Sequence, residues 1–282
     1  MNTKITILCE NRTCITEGIT GEHGFCALIE KNGEKLLLDT GQGLSLISNA
    51  KTLDIRLDNI SKIVLSHGHY DHTRGLEKLP PQENQVLIYA HPDVFANKYS
   101  VKKDSNGDIY KFIGIRQTKE DLEAGLNARF VFTTRFTPIT DQVFFSGEIP
   151  RITDFETSDS RLLVKDKDGY QPDQLLDDAS LLIETQSGPV ILTGCAHSGI
   201  VNVMEHFSQQ TGHKTFFAII GGTHLGFLKS LDQLEKTMDA FDRFQVQKLA
   251  VSHCTGNEAA AACYHRFKDR FAFANAGWKI EC

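Results

Sequence analysis

Nowhere does the sequence approach the roughly 20 consecutive apolar residues that a membrane-spanning helix requires, which argues against an integral membrane helix. Its N-terminal apolar run ends at Leu8, too short for the apolar region of a secretory leader, so a cytoplasmic location is expected. A basic excess is also missing: 30 Lys and Arg stand against 36 Asp and Glu, for a formal net charge of −6. Binding along a phosphate backbone needs a basic footprint, so nucleic acid is not an expected partner. None of the 7 cysteines forms a Cys-x-x-Cys pair, which leaves an iron–sulfur or zinc-ribbon site without support. An odd count in a chain of 282 residues also argues against a full disulfide framework. No low-complexity tract interrupts the chain. What remains is an ordinary globular composition, 40% hydrophobic and 23% charged, long enough to bury a sizeable core without cross-links.

The order of elements follows from the apolar patterning. Strands are expected at Lys4 to Leu8, Phe25 to Glu30 and Lys35 to Asp39, the last two turned by Lys31-Asn32-Gly33-Glu34. A short helix at Leu44 to Leu53 and a buried strand at Ile60 to Ser66 follow. The last third repeats the texture, with a hairpin at Ser180 to Thr193, helices at Ile200 to Gln210, Ser230 to Phe244 and Asn257 to Phe267, and strands at Thr215 to Ile220 and Lys248 to Ser252. This order predicts an α/β chain of the α+β type, with two mixed half-sheets facing each other. Residues 1–282 read as one domain, with an elaboration or small subdomain at about 95–140 and an exposed polar loop from Lys165 to Asp178.

The chemistry concentrates in one loop. Ser66-His67-Gly68-His69-Tyr70-Asp71-His72 follows the strand Lys62-Ile63-Val64-Leu65 and packs four potential ligands into six residues. Imidazole and carboxylate are the set favoured by zinc and other first-row divalent metals, and a cation lets crowded imidazoles stay neutral. Three further histidines follow apolar strands in Gly-containing loops: His197, His224 and His253. Strand-end loops along one sheet edge are where sites are usually built. Asp39 ends the strand Leu36-Leu37-Leu38, where an acidic side chain would orient a metal-bound imidazole by a hydrogen bond. A turn role before Gly41 is equally consistent with that Asp39 sequence.

The run His67-Gly68-His69-Tyr70-Asp71-His72, with Leu36-Leu37-Leu38-Asp39-Thr40-Gly41 upstream, resembles the metallo-β-lactamase-fold superfamily. Thr193-Gly194-Cys195-Ala196-His197-Ser198-Gly199, Gly221-Gly222-Thr223-His224-Leu225, His253-Cys254-Thr255-Gly256 and Ser146-Gly147-Glu148-Ile149-Pro150-Arg151 narrow the resemblance. They are similar to the branch of 7,8-dihydropterin-6-yl-methyl-4-(β-D-ribofuranosyl)aminobenzene-5'-phosphate synthase-like proteins. The resemblance implies a four-layer αβ/βα sandwich with a dinuclear metal site between two mixed sheets. His67, His69 and His197 would bind one divalent metal, and Asp71, His72 and His253 a second. Zinc is the expected identity, with manganese or iron as alternatives. The superfamily commonly bridges its metals with an Asp, in a run whose counterpart here is Thr193-Gly194-Cys195. Cys195 as a thiolate ligand, His197 taking over the position, and a carboxylate from Asp177 or Asp178 all remain open, as does occupancy by one metal or two.

The function expected on these grounds is metal-dependent hydrolysis, with a hydroxide formed at the metal attacking an ester, lactone or phosphodiester-type small molecule. Asp71 would ligate and steer the water proton. His224 would donate a hydrogen bond to substrate or leaving group, and Arg151 would contact an anionic substrate. The alternative is transfer: condensation of a dihydropterin diphosphate with a ribosylaminobenzene phosphate, as the branch name implies. A third reading is a non-catalytic metal-binding or sensing protein that keeps the fold.

Overall fold

The computed structural model describes residues 2–105, 107–227 and 230–282. The chain opens as an antiparallel meander of β1 (Lys4–Cys9), β2 (Cys26–Lys31) and β3 (Glu34–Leu38). Asn32 and Gly33 join β2 to β3 with φ of 53° and 82°, the left-handed pair that a tight two-residue hairpin needs. Helix α1 (Leu46–Thr52) leads to β4 (Lys62–Val64), parallel to β3, and a single helical turn, α2 (Tyr70–Thr73), follows. Then come β5 (Val86–Ala90), β6 (Lys98–Asp104), β7 (Gly107–Phe112), α3 (Lys119–Leu126) and β8 (Ala128–Phe132).

The second half runs through β9 (Thr137–Thr140), β10 (Val143–Phe145), β11 (Leu162–Asp166), β12 (Gly169–Pro172), β13 (Ser180–Ile183) and β14 (Val190–Thr193). Helices and parallel strands then alternate: α4 (Ile200–Thr211), β15 (Ala218–Gly222), α5 (Leu231–Arg243), β16 (Lys248–Ser252), α6 (Asn257–Phe267) and β17 (Phe271–Phe273). Ser230 caps α5, its hydroxyl accepting from the Gln233 amide, and so satisfies one of the free amides of the first turn. A final strand, β18 (Lys279–Glu281), returns to pair with β1. Among the described residues no helix is long and apolar enough to cross a membrane.

Two seven-stranded sheets result, ordered β18-β1-β2-β3-β4-β5-β8 and β17-β16-β15-β14-β13-β10-β9. Each is apolar on both faces, because alternate residues of a strand point opposite ways. Leu36 and Leu38 meet Leu181, Leu192 and Ile220 in a core between the sheets. Leu37 points the other way, into a second core with Leu46 of α1 and Leu122 of α3. Across the molecule Leu182, Ile191 and Ile219 pack under Met204, Phe241 and Cys263 of α4, α5 and α6. The architecture is therefore helix, sheet, sheet, helix, the expected sandwich.

The elaboration differs from expectation. It is not a contiguous 95–140 segment: α3 and β8 belong to the first half of the sandwich, and β9 is an edge strand of the second sheet. The extra unit is a four-stranded sheet, ordered β12-β11-β6-β7, that joins two remote segments through the pairing of Leu162 with Ser100. The stretch from Lys165 to Asp178 is not an exposed loop throughout either. It supplies β12, and Asp173, Leu175, Asp177 and Asp178 are buried. Lys165 to Asp168 are exposed as the charge suggests, but Asp173, Asp177 and Asp178 are turned inside, as described below.

Candidate metal centre

Every histidine of interest leaves a strand at the same edge of the sandwich. β4 ends in the loop carrying His67 to His72, β14 in the loop carrying Cys195 and His197, β15 in the His224 loop, and β16 at His253. Two glycines let these loops close. A Cβ at Gly68 would run into the Val94 carbonyl, and one at Gly194 would strike the Ser66 hydroxyl and the Asp39 carboxylate. Asp39, Ala196, His224 and His253 all have left-handed backbone, with φ of 58°, 56°, 55° and 50°. Such strain at non-glycine residues persists only where surroundings over-determine it. Here the Asp39 amide donates to the Val64 carbonyl at 2.8 Å, and the His253 amide to the buried Glu10 carboxylate at 2.6 Å.

The nitrogen and sulfur atoms converge in two adjoining groups. Ligand atoms of His67, His69 and His197 lie within 4.8 Å of one another, as do those of His67, His72 and Cys195. His67 Nε2 and His197 Nε2 are 3.3 Å apart, and His72 Nε2 and His253 Nε2 3.2 Å. The Asp71 carboxylate sits 3.4 Å from His253 Nε2, 3.8 Å from His72 Nε2 and 3.2 Å from His23 Nε2. Cys195 Sγ is 3.2 Å from His72 Nε2, so the thiol borders both groups.

Hydrogen bonds on the far side of each ring define which nitrogen carries a proton. The Ser66 hydroxyl donates to Asp39 Oδ2 at 2.7 Å, so its oxygen is left to accept from His67 Nδ1, 2.9 Å away. His72 Nδ1 faces the same carboxylate oxygen at 2.6 Å, and His253 Nδ1 faces Asn11 Oδ1 at 2.8 Å. Both partners are acceptors, so both Nδ1 atoms donate. With Nδ1 engaged in this way, the Nε2 atoms of His67, His72 and His253 are the ones turned toward the shared centre. Lone pairs in contact repel unless a proton or a cation lies between them. His69 Nε2 and His197 Nδ1 are in addition buried without a hydrogen-bond partner. These donors fit a divalent cation.

Electrostatics agrees. Burial, together with the neighbouring His72, His69 and His197, pushes the His67 imidazole well below its ordinary range. Burial and then Lys98 bring His69 down to about 3. Burial also lowers His72, but Asp39 and Asp71 outweigh it and hold that ring up to about 9. Asp71 is pushed up by burial and pulled further down by His72, His23 and His253, leaving it well below the usual carboxylate range. A centre with neutral imidazoles, one ionised carboxylate and a ring that attracts a proton calls for positive charge, which a metal supplies in competition with the proton.

The other sequence-singled residues divide. Asp177 does not approach the ligand atoms: Oδ2 accepts from the Gly68 amide and Oδ1 from Lys98 Nζ, each at 2.8 Å. Asp178 accepts from the Ser198 amide at 2.8 Å and hydroxyl at 2.6 Å. The two aspartates thus position the His67–His69 and His197 loops. Arg151, expected to contact an anionic substrate, is engaged with the protein's own backbone. Its guanidinium donates to the His197 and Gln174 carbonyls at 2.8 and 3.2 Å, bracing the loop from behind. His224 lines the cavity, its ring 4.3 Å from that of His197; both ring nitrogens are buried without a hydrogen-bond partner, and Nε2 lies 3.9 Å from the Asp159 carboxylate. Lys98, Asp173, Glu10 and Asn11 had no sequence signal. Lys98, almost wholly buried, pairs with Asp173 and Asp177 at 2.8 Å each. Above the centre lies a cavity of about 1220 Å³, floored by His69, Asp71, Cys195, His197, His224 and His253 and roofed by the small sheet.

With this geometry in place, the relatives are informative. The family model of the metallo-beta-lactamase superfamily matches residues 19–253. A 7,8-dihydropterin-6-methyl-4-(beta-D-ribofuranosyl)-aminobenzene-5'-phosphate synthase of Methanocaldococcus jannaschii is 31% identical, covering 98% of this chain and 95% of its own. A crystal structure described as a metal-dependent hydrolase of the beta-lactamase superfamily superposes with a TM-score of 0.83 at 26% identity, over 99% of both chains. A diphosphatase from the PhnP family has a TM-score of 0.55 at 14% identity, covering 100% of this chain and 98% of its own, a likeness of fold alone. The synthase relative overturns hydrolysis as the expected reaction. The residues had suggested hydrolysis because a cationic centre suits a water nucleophile and a diphosphate leaving group equally, so ligand chemistry by itself does not separate the two.

Proposed function

Because the chain belongs to the metallo-beta-lactamase superfamily, we propose that it is a metal-dependent synthase that joins a dihydropterin diphosphate to a ribofuranosylaminobenzene 5'-phosphate. The observation that carries this reading is the 31% identity to a named synthase across nearly the full length of both chains. The fold and that relative support an enzyme with a metal-binding centre, and the transfer class is the further step proposed here.

His67, His69 and His197 would hold one divalent cation, and Asp71, His72 and His253 another, with Cys195 at the border of the two. Zinc matches this donor set, as would manganese or iron in its imidazole and carboxylate part. A bound divalent cation supplies positive charge for the diphosphate leaving group. The remaining work falls to the protein's own groups. The amino nitrogen of the arene partner attacks the pterin methylene carbon, a carbon–nitrogen bond forms, the carbon–oxygen bond to diphosphate breaks, and pyrophosphate departs. His224, which lines the cavity and whose buried ring nitrogens have no hydrogen-bond partner, takes the proton that the amine nitrogen loses. Asp71 keeps the His23 and His253 rings oriented at the mouth. Asp39 fixes the His72 ring from behind. A reducing cytoplasm suits the site, since all seven cysteines are free thiols.

Incubating metal-loaded protein with both partners and analysing the mixture by mass spectrometry tests the reading. The expected result is the joined product with one equivalent of pyrophosphate, and its loss in the His69→Ala protein. Cleavage of either partner alone, with no joined product, would refute it.

A further inference from the structure

The roof of the cavity is built by the small sheet β12-β11-β6-β7, away from the metal-ligating loops. In the small sheet Ser100 pairs with Lys111 and Lys102 with Ile109, so these four side chains share one face. Leu162, opposite Ser100, extends that face. All five line the cavity above the metal-ligating loops. The reverse face is aromatic and outward, with Tyr99 packed on Phe112 and on Tyr170 at ring separations of 5.3 and 5.1 Å, and Tyr110 stacked on Tyr170 at 4.2 Å. The aromatic packing holds the sheet together from outside, while Lys102 and Lys111 stand on the cavity face.

That charge is uncompensated. Lys102 and Lys111 are diagonal neighbours, which brings their Cβ atoms to within roughly 7 Å. Among the described residues no carboxylate pairs with either ammonium group. The two acids in the cavity are already committed: Asp71 to its histidines, and Asp159 to Arg161 at 2.9 and 3.1 Å. Arg161 in turn lies 4.6 Å over the Phe227 ring. Two like charges near each other on one sheet face repel, and an anion between them relieves that repulsion. Lys111 also marks how near this face comes to the metal-ligating loop, because its Nζ stands 5.2 Å over the ring of Tyr70, the residue before Asp71.

We infer that Lys102 and Lys111 form a phosphate subsite, holding the phosphate monoester of the substrate at the roof while its reacting end lies on the floor. The inference deepens the synthase reading and rests on it: the group held is the 5'-phosphate of the arene partner. Two ammonium groups on flexible stems suit a dianionic monoester, which offers three oxygens to several donors.

Isothermal titration of metal-loaded protein with ribose 5-phosphate, against ribose as the uncharged control, tests the subsite. The proteins are wild type, Lys111→Arg and the double variant Lys102→Met/Lys111→Met, which keeps the apolar stems; matching melting temperatures establish that each is folded. Ribose 5-phosphate should bind the double variant about tenfold or more weakly than wild type, Lys111→Arg should bind nearly as wild type does, and ribose should not discriminate among them. Equal affinity of wild type and double variant for ribose 5-phosphate would overturn the subsite. The joined-product assay is read separately. Phosphate binding lost in the double variant, with no product from wild type, refutes the synthase reading and leaves the subsite standing. Product formed by a double variant that binds phosphate normally does the reverse.

Discussion

The most exposed link in the proposed centre is the carboxylate of Asp39, and Asp39→Asn isolates it with almost no change of shape. Asp39 is fully buried and accepts from the Ser66 amide, the Ser66 hydroxyl and His72 Nδ1, at 2.7, 2.7 and 2.6 Å. An amide in its place retains one accepting oxygen. If that oxygen stays on the Ser66 amide, the amino group faces His72 Nδ1 and drives the ring proton to Nε2, where it points at His253 instead of leaving a lone pair. Loss of such an orienting partner typically weakens metal binding by about 10–100-fold, or about 1.4–2.8 kcal/mol. A metal present at about 1,000 times its Kd stabilises the fold by about 4.1 kcal/mol, which would shrink to roughly 1.4–2.7 kcal/mol in the variant. Chelator competition measures the affinity, and melting with and without metal measures the stabilisation. An affinity within twofold of wild type, with the variant folded, would refute the orienting role.

Three further outcomes follow from the same contacts. Gly68→Ala drives a Cβ into the Val94 carbonyl, so the variant should melt lower and bind substoichiometric metal by mass spectrometry; unchanged stoichiometry would count against the close-approach argument. Lys98→Met leaves Asp173 and Asp177 buried without their shared cation, an effect of about 3–5 kcal/mol when a buried pair is broken, measurable by urea denaturation. Glu156 is raised above 4.5 by burial, which outweighs the hydrogen bonds from the Val201 and Asn202 amides. Its folded form therefore holds the proton more tightly than its unfolded form, so its contribution favours folding below pH 4.5 and is lost as pH rises through the raised value. Relative to Glu156→Gln, wild type should lose stability across that window; a flat difference would refute the burial argument.

Much of the sandwich was readable because its determinants are local. Alternating apolar residues in Lys4 to Leu8, the Asn32-Gly33 turn and the Ser230 cap each act within a few positions, and α6 spans Asn257–Phe267 as the Ala-rich run predicts. The histidine loops were readable because each follows an apolar strand. The groups that steady them were not. His253 is held by Glu10 and Asn11 from the opposite end of the chain, and Lys98 meets its aspartates only after the third sheet has formed. An acidic residue in a polar stretch reads as solvated until its cation is seen. The backbone contacts of Arg151 were hidden for a related reason: a guanidinium that braces two carbonyls has the same sequence appearance as one that awaits an anion.

The hairpin of β6 and β7 is anchored unevenly. At its base Lys98 is locked to buried aspartates, the Ile113 amide donates to the Lys98 carbonyl at 2.9 Å, and the Tyr70 amide to the Ile113 carbonyl at 2.8 Å. Toward the tip, Lys102 to Asp104 and Gly107 to Lys111 are exposed. Tolerance to substitution should therefore rise along the strands from base to tip, as a gradient. The residues that meet the outer part of a ligand can drift while those touching the metal-ligating loop stay fixed, so one floor can be fitted with many roofs. Randomising Lys102, Ile109 and Lys111 together, with Lys98 and Ile113 untouched, is accordingly the shortest route to a changed substrate on an unchanged metal centre.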